Sequence, residues 1–305
     1  MTARTGVLVM AYGTPRSPDD VLEYYTHIRR GRPPEPEQLT ELQDRYAAIG
    51  GISPLAARTA AQMDAVAAAL EAAEPGRWQV TLGQKHAAPF IEDGVATLVD
   101  AGVEEIVGLV LAPHWSAFSV GQYHGRAAET AAAAGVPFTG IDSWHLEEAF
   151  LAHQAGSLTD RLATMPTATK VVFTAHSLPE RVLVDDPYPD QLAASAGAIA
   201  ARVGLDRWAG WGLGWQSAGR TPEPWRGPDI LEIIRELAAM GTAEGIVVVP
   251  QGFTSDHLEV LYDLDIEAAG VASEGGLQFG RTEVVNADPA VMAALADRVR
   301  AVATS

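Results

Sequence analysis

Val171-Val-Phe-Thr-Ala-His176-Ser-Leu-Pro179 is the stretch whose reading decides the fold class. Its opening residues are β-branched or aromatic, a run of the length of a buried strand, and a histidine and a turn close it. In open α/β proteins, ligands collect beyond the carboxyl ends of parallel strands. His176 stands at such an end. Imidazole has the side-chain pKa nearest neutrality and ligates transition metals. Taken alone, this histidine reads either as a hydrogen-bonded turn residue or as a functional group.

Working outward, further strand candidates are Gly6–Met10, Trp78–Leu82, Ile106–Leu111, Trp211–Gly214 and Ile246–Val249. Ala-rich helical stretches lie between them, at Arg58–Ala73, Asp93–Ala101, His124–Ala134, Gln191–Val203 and Asp229–Met240. Repeated βαβ order predicts α/β architecture, with parallel sheets flanked by helices. Three strand candidates precede Gly140–His145 and three follow. The expected organisation is therefore two Rossmann-like domains, 1–141 and 142–305, with the active site in the cleft between them. A final helix over Pro289–Ala303 is free to pack on either. Tyr12, Lys85-His86, His114-Trp115, His176, Trp215-Gln216 and Gln251–Asp256 each follow a strand. Ordinary loops favour Gly, Asn, Ser and Asp over His and Trp, so this gathering points to a cleft with chemistry in it.

Composition narrows the function. The chain has 305 residues, 48% hydrophobic and 20% charged, with a net charge of −18. That balance argues against nucleic acid, which needs a basic footprint, and against anionic membrane surfaces. Cysteine is absent, which excludes disulfides, thiolate zinc sites and cysteine-ligated iron–sulfur clusters. The apolar run after Met1 is too short for a secretory signal, and no 18-residue apolar segment follows. The expectation is a cytoplasmic monomer without stable membrane insertion.

Thr254-Ser-Asp-His-Leu-Glu-Val-Leu-Tyr-Asp-Leu-Asp-Ile-Glu267 opens with capping residues and continues with helical periodicity. At about 100° per residue, Asp256, Glu259, Asp263 and Glu267 fall in a stripe roughly 80° wide. Successive carboxylates four residues apart lie about 6 Å apart along the axis. Like charges at that spacing cost a few tenths of a kcal/mol each. The stripe reads as a solvated face with a capping box at Asp256-x-x-Glu259, or as a ladder for a hard divalent cation. His176 would add a nitrogen ligand suited to Fe(II).

His176-Ser-Leu-Pro, Trp215-Gln-Ser-Ala-Gly-Arg-Thr-Pro-Glu-Pro-Trp-Arg-Gly-Pro-Asp229 and Ser255-Asp-His-Leu-Glu-Val-Leu-Tyr-Asp263 together resemble the ferrochelatase family. So do Tyr24-Tyr-Thr-His-Ile-Arg-Arg-Gly-Arg32, Gly50-Gly-Ile-Ser-Pro-Leu55, Lys85-His86 with Pro89-Phe-Ile-Glu-Asp93, and Asp186-Pro-Tyr-Pro-Asp-Gln-Leu192. The resemblance runs along nearly the whole chain, in order. Met10-Ala-Tyr12-Gly-Thr-Pro15 looks like the coproporphyrin-using branch. Ala87-Ala88 and Trp115 depart from the bulkier residues and the Phe or Tyr common at those places.

The resemblance implies insertion of Fe(II), as substrate metal, into coproporphyrin III in heme biosynthesis, with release of two protons and no iron–sulfur cluster. It implies His176 and Glu259 as the inner catalytic pair, with Asp263 and Glu267 completing the metal set. Tyr12 would meet the metal from the opposite face. Arg29, Arg30 and Arg45, with Ser53 and Tyr123, would hold propionates, since a guanidinium fork matches a carboxylate. Each has a plainer use as well. Arg29-Arg30 can be a solvated helix end, Arg45 can pair with Asp44 or Glu41, and Tyr12 can close a βα turn. Two other functions compete: a non-catalytic tetrapyrrole or metal carrier, and a chelatase for a different tetrapyrrole or metal.

Overall fold

The computed structural model describes residues 4–205 and 210–304; Met1–Ala3, at the head of the N-terminal run, lie outside them. The first sheet is built from β1 (Thr5–Ala11), β2 (Trp78–Gln84), β3 (Glu105–Val110) and β4 (Phe138–Ile141). The second is built from β5 (Thr169–His176), β6 (Trp211–Gln216), β7 (Gly245–Val249) and β8 (Gln278–Arg281). All pairings are parallel, and the orders β2-β1-β3-β4 and β6-β5-β7-β8 repeat one pattern. In each sheet the order reverses beside the first strand, between β1 and β3 and between β5 and β7. Such switch points open a crevice at the carboxyl ends, and His176 ends β5 there.

Among the described residues each half therefore has four strands, one more than the sequence reading gave. The additions, β4 and β8, are edge strands of four residues, partly exposed and each containing a glycine. Central β1 and β7 are buried along their whole length, and that burial is what makes a strand legible as an apolar run.

The helices are α1 (Val21–Ile28), α2 (Pro36–Ala48), α3 (Leu55–Ala73), α4 (Ile91–Asp100), α5 (Val120–Ala133), α6 (Glu148–Leu162), α7 (Tyr188–Val203), α8 (Ile230–Met240), α9 (Leu258–Leu261), α10 (Ala269–Glu274) and α11 (Pro289–Val302). The five Ala-rich helices expected from sequence are α3, α4, α5, α7 and α8, with ends shifted by a few residues. The final helix, α11, lies along α3 and also touches α6. Its Leu295 and Val299 join one apolar cluster with Val7, Leu70, Phe173 and Val247, so the chain's end binds both sheets into a common core. Among the described residues, no helix is long and apolar enough to cross a membrane.

Two close approaches place the site. Gly252 packs on β5, where a Cβ would fall 2.5 Å from the Cβ of Ala175, and its N–H donates to the Thr174 carbonyl at 3.1 Å. The loop leading to α9 is thereby pressed against the end of β5. From the first half, Gln62 on α3 donates to the Thr254 carbonyl at 3.2 Å and accepts from Ser255 Oγ at 2.9 Å.

Candidate active site

His176 Nδ1 lies 2.5 Å from the Ser177 carbonyl oxygen. A carbonyl only accepts, so Nδ1 carries a proton, which leaves Nε2 to take up a second proton and then face the carboxylate as a charged donor. That atom faces Glu259, with Oε1 at 3.7 Å. His257 is arranged likewise: Nδ1 donates to the Ser255 carbonyl at 3.0 Å, and Nε2 lies 3.7 Å from Glu259 Oε2. Glu259 thus sits between two histidines, and the sequence reading had singled out only one of them. His257 stood in a quoted motif, two residues before Glu259, but nothing in its spacing revealed that the chain folds back to aim it at the same carboxylate.

Burial pushes the Glu259 carboxyl up, but the charge of His176, the hydrogen-bonding pull and charge of His257, and the charge of Arg45 together outweigh it and bring its pKa to about 2. One step along the stripe the balance reverses. Asp263 is 6% exposed. Burial first, then the charges of Glu259 and Glu267, raise it to about 7, against the Ser217 bond and the Arg45 charge. Ser217 Oγ donates to it at 2.5 Å and Arg45 Nη1 at 3.3 Å. Two neighbouring carboxylates are therefore driven apart, one fixed as an anion and one able to exchange a proton near neutrality, a separation that marks acid–base pairs.

The segment carrying these carboxylates is not the regular α-helix expected from Thr254. The four residues of α9 lead into a π-helix over Asp263–Ala268 and then into α10. The wider turn is registered by the Glu267 N–H donating to the Tyr262 carbonyl, five residues back, at 3.0 Å. A turn of more than four residues rotates the stripe back against the drift of an α-helix and keeps Glu259, Asp263 and Glu267 along one side. Asp256 is a correction: it precedes the helix and leaves the stripe. Its carboxylate accepts from Asn286 Nδ2 at 2.9 Å and faces Arg281 at 3.5 Å and Arg58 at 3.8 Å. Among the described residues, no three His, Asp or Glu side chains enclose a metal position, so the stripe is a row and not a cage.

The first half presents tyrosines to this row. Tyr12 directly follows β1 and is 42% exposed. Its phenol is raised by burial and then by the charge of Glu259, an electrostatic link across the cleft. Gly13 follows with φ +91°, and a Cβ there would meet that of Ala87 at 2.8 Å, so both the backbone angle and the close approach require glycine at 13. Tyr46 is buried and raised to about 12, mainly by burial, with Glu259 again contributing. Tyr24 donates to the Gly13 carbonyl at 3.2 Å. His86 packs on Tyr12 with ring centroids 4.6 Å apart. It is held down to about 3 by burial and by the charges of Lys85, His27 and Arg126.

A cationic corner lies on the same half. Lys85 is lowered to about 8 by burial and by the charges of Arg126 and Arg30, and its ammonium stands 5.3 Å from the ring centre of the buried Tyr123. Arg29 caps α1, donates to the Arg32 carbonyl at 3.3 Å and lies over Tyr25. Arg30 follows, exposed, with φ +57°. Ser53 is buried, and its oxygen accepts from the Leu55 N–H at 3.2 Å where α3 begins, leaving its O–H free to donate. Arg45, expected with this group, is instead placed on the carboxylate row. A cleft of about 330 Å³ opens there, lined by Arg45, Ser217, Glu259, Asp263 and Glu267 among others.

Known proteins match this chain along its length. The family model described as ferrochelatase matches residues 4–303. The coproporphyrin III ferrochelatase of Anoxybacillus flavithermus is 46% identical over 298 residues, covering 95% of this chain and 94% of that protein. The coproporphyrin III ferrochelatase of Bacillus subtilis is 45% identical over 300 residues, covering 96% of each. Among solved structures, SirB from Bacillus subtilis with Fe3+ superposes with a TM-score of 0.58 at 14% identity, covering 97% of this chain and 94% of that one. CbiX, the terminal enzyme for biosynthesis of siroheme in denitrifying bacteria, gives 0.54 at 14% identity, covering 99% of this chain and all of that one. At such identities these two structures speak for the fold alone.

Proposed function

The chain belongs to the ferrochelatase family, and from that premise we propose that it inserts Fe(II) into coproporphyrin III, releasing two protons and forming the iron porphyrin in heme biosynthesis. The observation that carries this reading is Glu259, held between the Nε2 atoms of His176 and His257 at the head of a carboxylate row.

Metallation requires a held and distorted macrocycle, removal of two pyrrole protons and delivery of iron. Coproporphyrin presents four propionates. Arg29, Arg30 and Lys85 would take them, with hydroxyls of Ser53 and Tyr123. Binding made at this distance from the nitrogens holds and orients the macrocycle without touching the reacting centre. His176 Nε2 accepts a pyrrole proton, and the carboxylate of Glu259 stabilises the imidazolium that forms. At about 2, Glu259 is too weak a base to keep the proton. Asp263, near 7, takes it on, and Glu267 passes it outward. Iron travels the same row inward toward nitrogen ligands that suit it. Two protons leave for each doubly charged ion that enters, so the row's charge is the same after each turnover. Tyr12, which follows β1 on the first half, would offer its hydroxyl to the macrocycle and its metal.

We divide the chain into lobes at 141/142, with α11 attached to the first, and place the protein in the cytoplasm as a monomer. Lacking cysteine, it offers no thiolates to an iron–sulfur cluster. Anaerobic turnover with coproporphyrin III and protoporphyrin IX, compared by kcat/KM in one buffer and detergent, tests the substrate. A preference for coproporphyrin of tenfold or more is expected, from roughly one lost charge-assisted contact. A ratio near one, or a preference for protoporphyrin, refutes the assignment.

A further inference from the structure

Gln62, on α3 of the first half, is fully buried, and its amide reaches the loop of the second half that leads to His257. Nε2 donates to the Thr254 carbonyl at 3.2 Å and to the Asn286 carbonyl at 2.9 Å, while Oε1 accepts from Ser255 Oγ at 2.9 Å. Both hydrogens of the amide nitrogen thus have carbonyl partners, which fixes the orientation of the group. Asn286 grips the same loop from the other side. Its N–H donates to the Thr254 carbonyl at 2.7 Å. Its Oδ1 accepts from the Asp256 N–H at 3.1 Å, and its Nδ2 donates to the Asp256 carboxylate at 2.9 Å. Thr254, Ser255 and Asp256 are therefore each held in place. What that grip sets is the Ser255 carbonyl. His257 Nδ1 donates to it at 3.0 Å, which leaves Nε2 for Glu259 at 3.7 Å. The His257 ring also rests on Phe253, with centroids 5.0 Å apart.

We propose that Gln62 is a positioning residue for iron insertion: through Ser255 it aims the His257 imidazole at Glu259, so the site is complete only when α3 is docked on the second half. The inference rests on the reaction proposed above, with His257 and Glu259 taking part in it. Being fully buried, Gln62 touches no substrate and acts only through the loop. An imidazole with one nitrogen bound to a fixed carbonyl presents the other in one direction. Partners that stand behind a functional histidine in this way are commonly worth about 10–100-fold in activity. Freed from Gln62, the Ser255 hydroxyl loses its acceptor and the carbonyl of the same residue loses its anchor. The ring it holds then turns on its χ angles. Displacement of a reacting group by about 1 Å costs about 10²-fold, so small freedom in the loop is felt at Glu259.

The test joins turnover to NMR of the histidine rings in the full-length protein, at a pH where His257 is neutral. Gln62→Met keeps the length of the side chain and removes its three hydrogen bonds. Its kcat for iron insertion should fall about tenfold or more. The KM for coproporphyrin should hold, because the propionate corner lies on other elements. In a His257→Ala background the same substitution should cost nothing further, since its effect passes through that ring. Proton–nitrogen correlation spectra, with the His257 signals identified by their loss in His257→Ala, should show one fixed tautomer in wild type. In Gln62→Met they should show averaging of two. Ser255→Ala breaks only the link to the loop hydroxyl and should move kcat and the His257 signals the same way by less. It carries both comparisons if Gln62→Met does not fold. Wild-type kcat in Gln62→Met overturns the proposal. So does an equal further loss in the His257→Ala background, because the cause would then be general loss of structure. Full activity of His257→Ala overturns it as well. A wild-type protein that inserts no iron refutes the proposed reaction instead. The spectra need no turnover, and unchanged His257 signals in both Gln62→Met and Ser255→Ala overturn the positioning by themselves.

Discussion

Replacing Asp263 by asparagine should stabilise the protein, and by an amount that grows as pH rises. The folded-state pKa of Asp263 is about 7, whereas an aspartate in an unfolded chain titrates near about 3.9. Between those values the folded protein holds a proton that the unfolded chain has released. Stability attributable to this group is therefore present at about pH 4, falls as pH rises through the window and is lost above about 7. The difference of about 3 pH units corresponds to about 4 kcal/mol, at about 1.36 kcal/mol per unit. Asp263 is 6% exposed, so solvent screening takes little from that figure. The asparagine variant carries no such liability, but it gives Arg45 a neutral partner where the wild type above pH 7 has an ionised one. That loss is about 1 kcal/mol or somewhat more, which leaves a net gain of roughly 2–3 kcal/mol at pH 8 and roughly none at pH 4.5. For a chain of this size, at about 2.1 cal/mol/K per residue, the gain corresponds to roughly 3–5 °C in Tm. Urea midpoints of both proteins, taken at four pH values between 4.5 and 8.5, measure it. Glu259 titrates below this window and does not confuse the comparison. A stability difference that stays constant with pH, or a variant less stable at pH 8 than at pH 5 relative to wild type, refutes the argument that Asp263 is held protonated.

Three further outcomes concern activity. His176→Ala should lower iron insertion by about 10²–10⁴-fold, the usual cost of losing a general base, while coproporphyrin binding, followed by fluorescence quenching, largely survives; turnover within tenfold of wild type removes His176 from the chemistry. Glu259→Gln should be more damaging than Glu267→Gln, because only Glu259 touches both histidines, and the outer change should chiefly raise the iron concentration needed; equal losses in kcat would contradict this ordering. Arg29→Ala and Arg30→Ala should each raise the KM for coproporphyrin by about tenfold with little change in kcat, since contacts remote from the reacting nitrogens act as uniform binding, and a fall in kcat at constant KM would assign them a different role.

How far the sequence reached depended on where each residue's environment was determined. Central strands such as Gly245–Val249 and the strand ending at His176 were legible because both faces are buried, and burial selects an unbroken β-branched run that a single pass along the chain detects. The edge strands Phe138–Ile141 and Gln278–Arg281 were not, because solvent on one side permits polar residues and glycine and erases that signal. Glu259, Asp263 and Glu267 were placed on one face from spacing alone, since both α- and π-helical turns bring every fourth residue near the same side. The π-turn itself, and the departure of Asp256, depend on which carbonyl each N–H finds, and periodicity does not encode that choice.

The sequence by itself determined the alternation of strands and helices, the histidine at a strand end, the carboxylates in register and, through its motifs, the family. Those properties are local, or are repeated along the chain. Only the tertiary structure decided that His257 joins His176 on Glu259, that α11 returns to α3, that Arg45 lies among the carboxylates of the other half, and that Asp263 and Glu259 titrate far apart. Each of these rests on a distance between residues remote in the chain or on exclusion of water from a carboxyl group, and neither exists until the two sheets have packed.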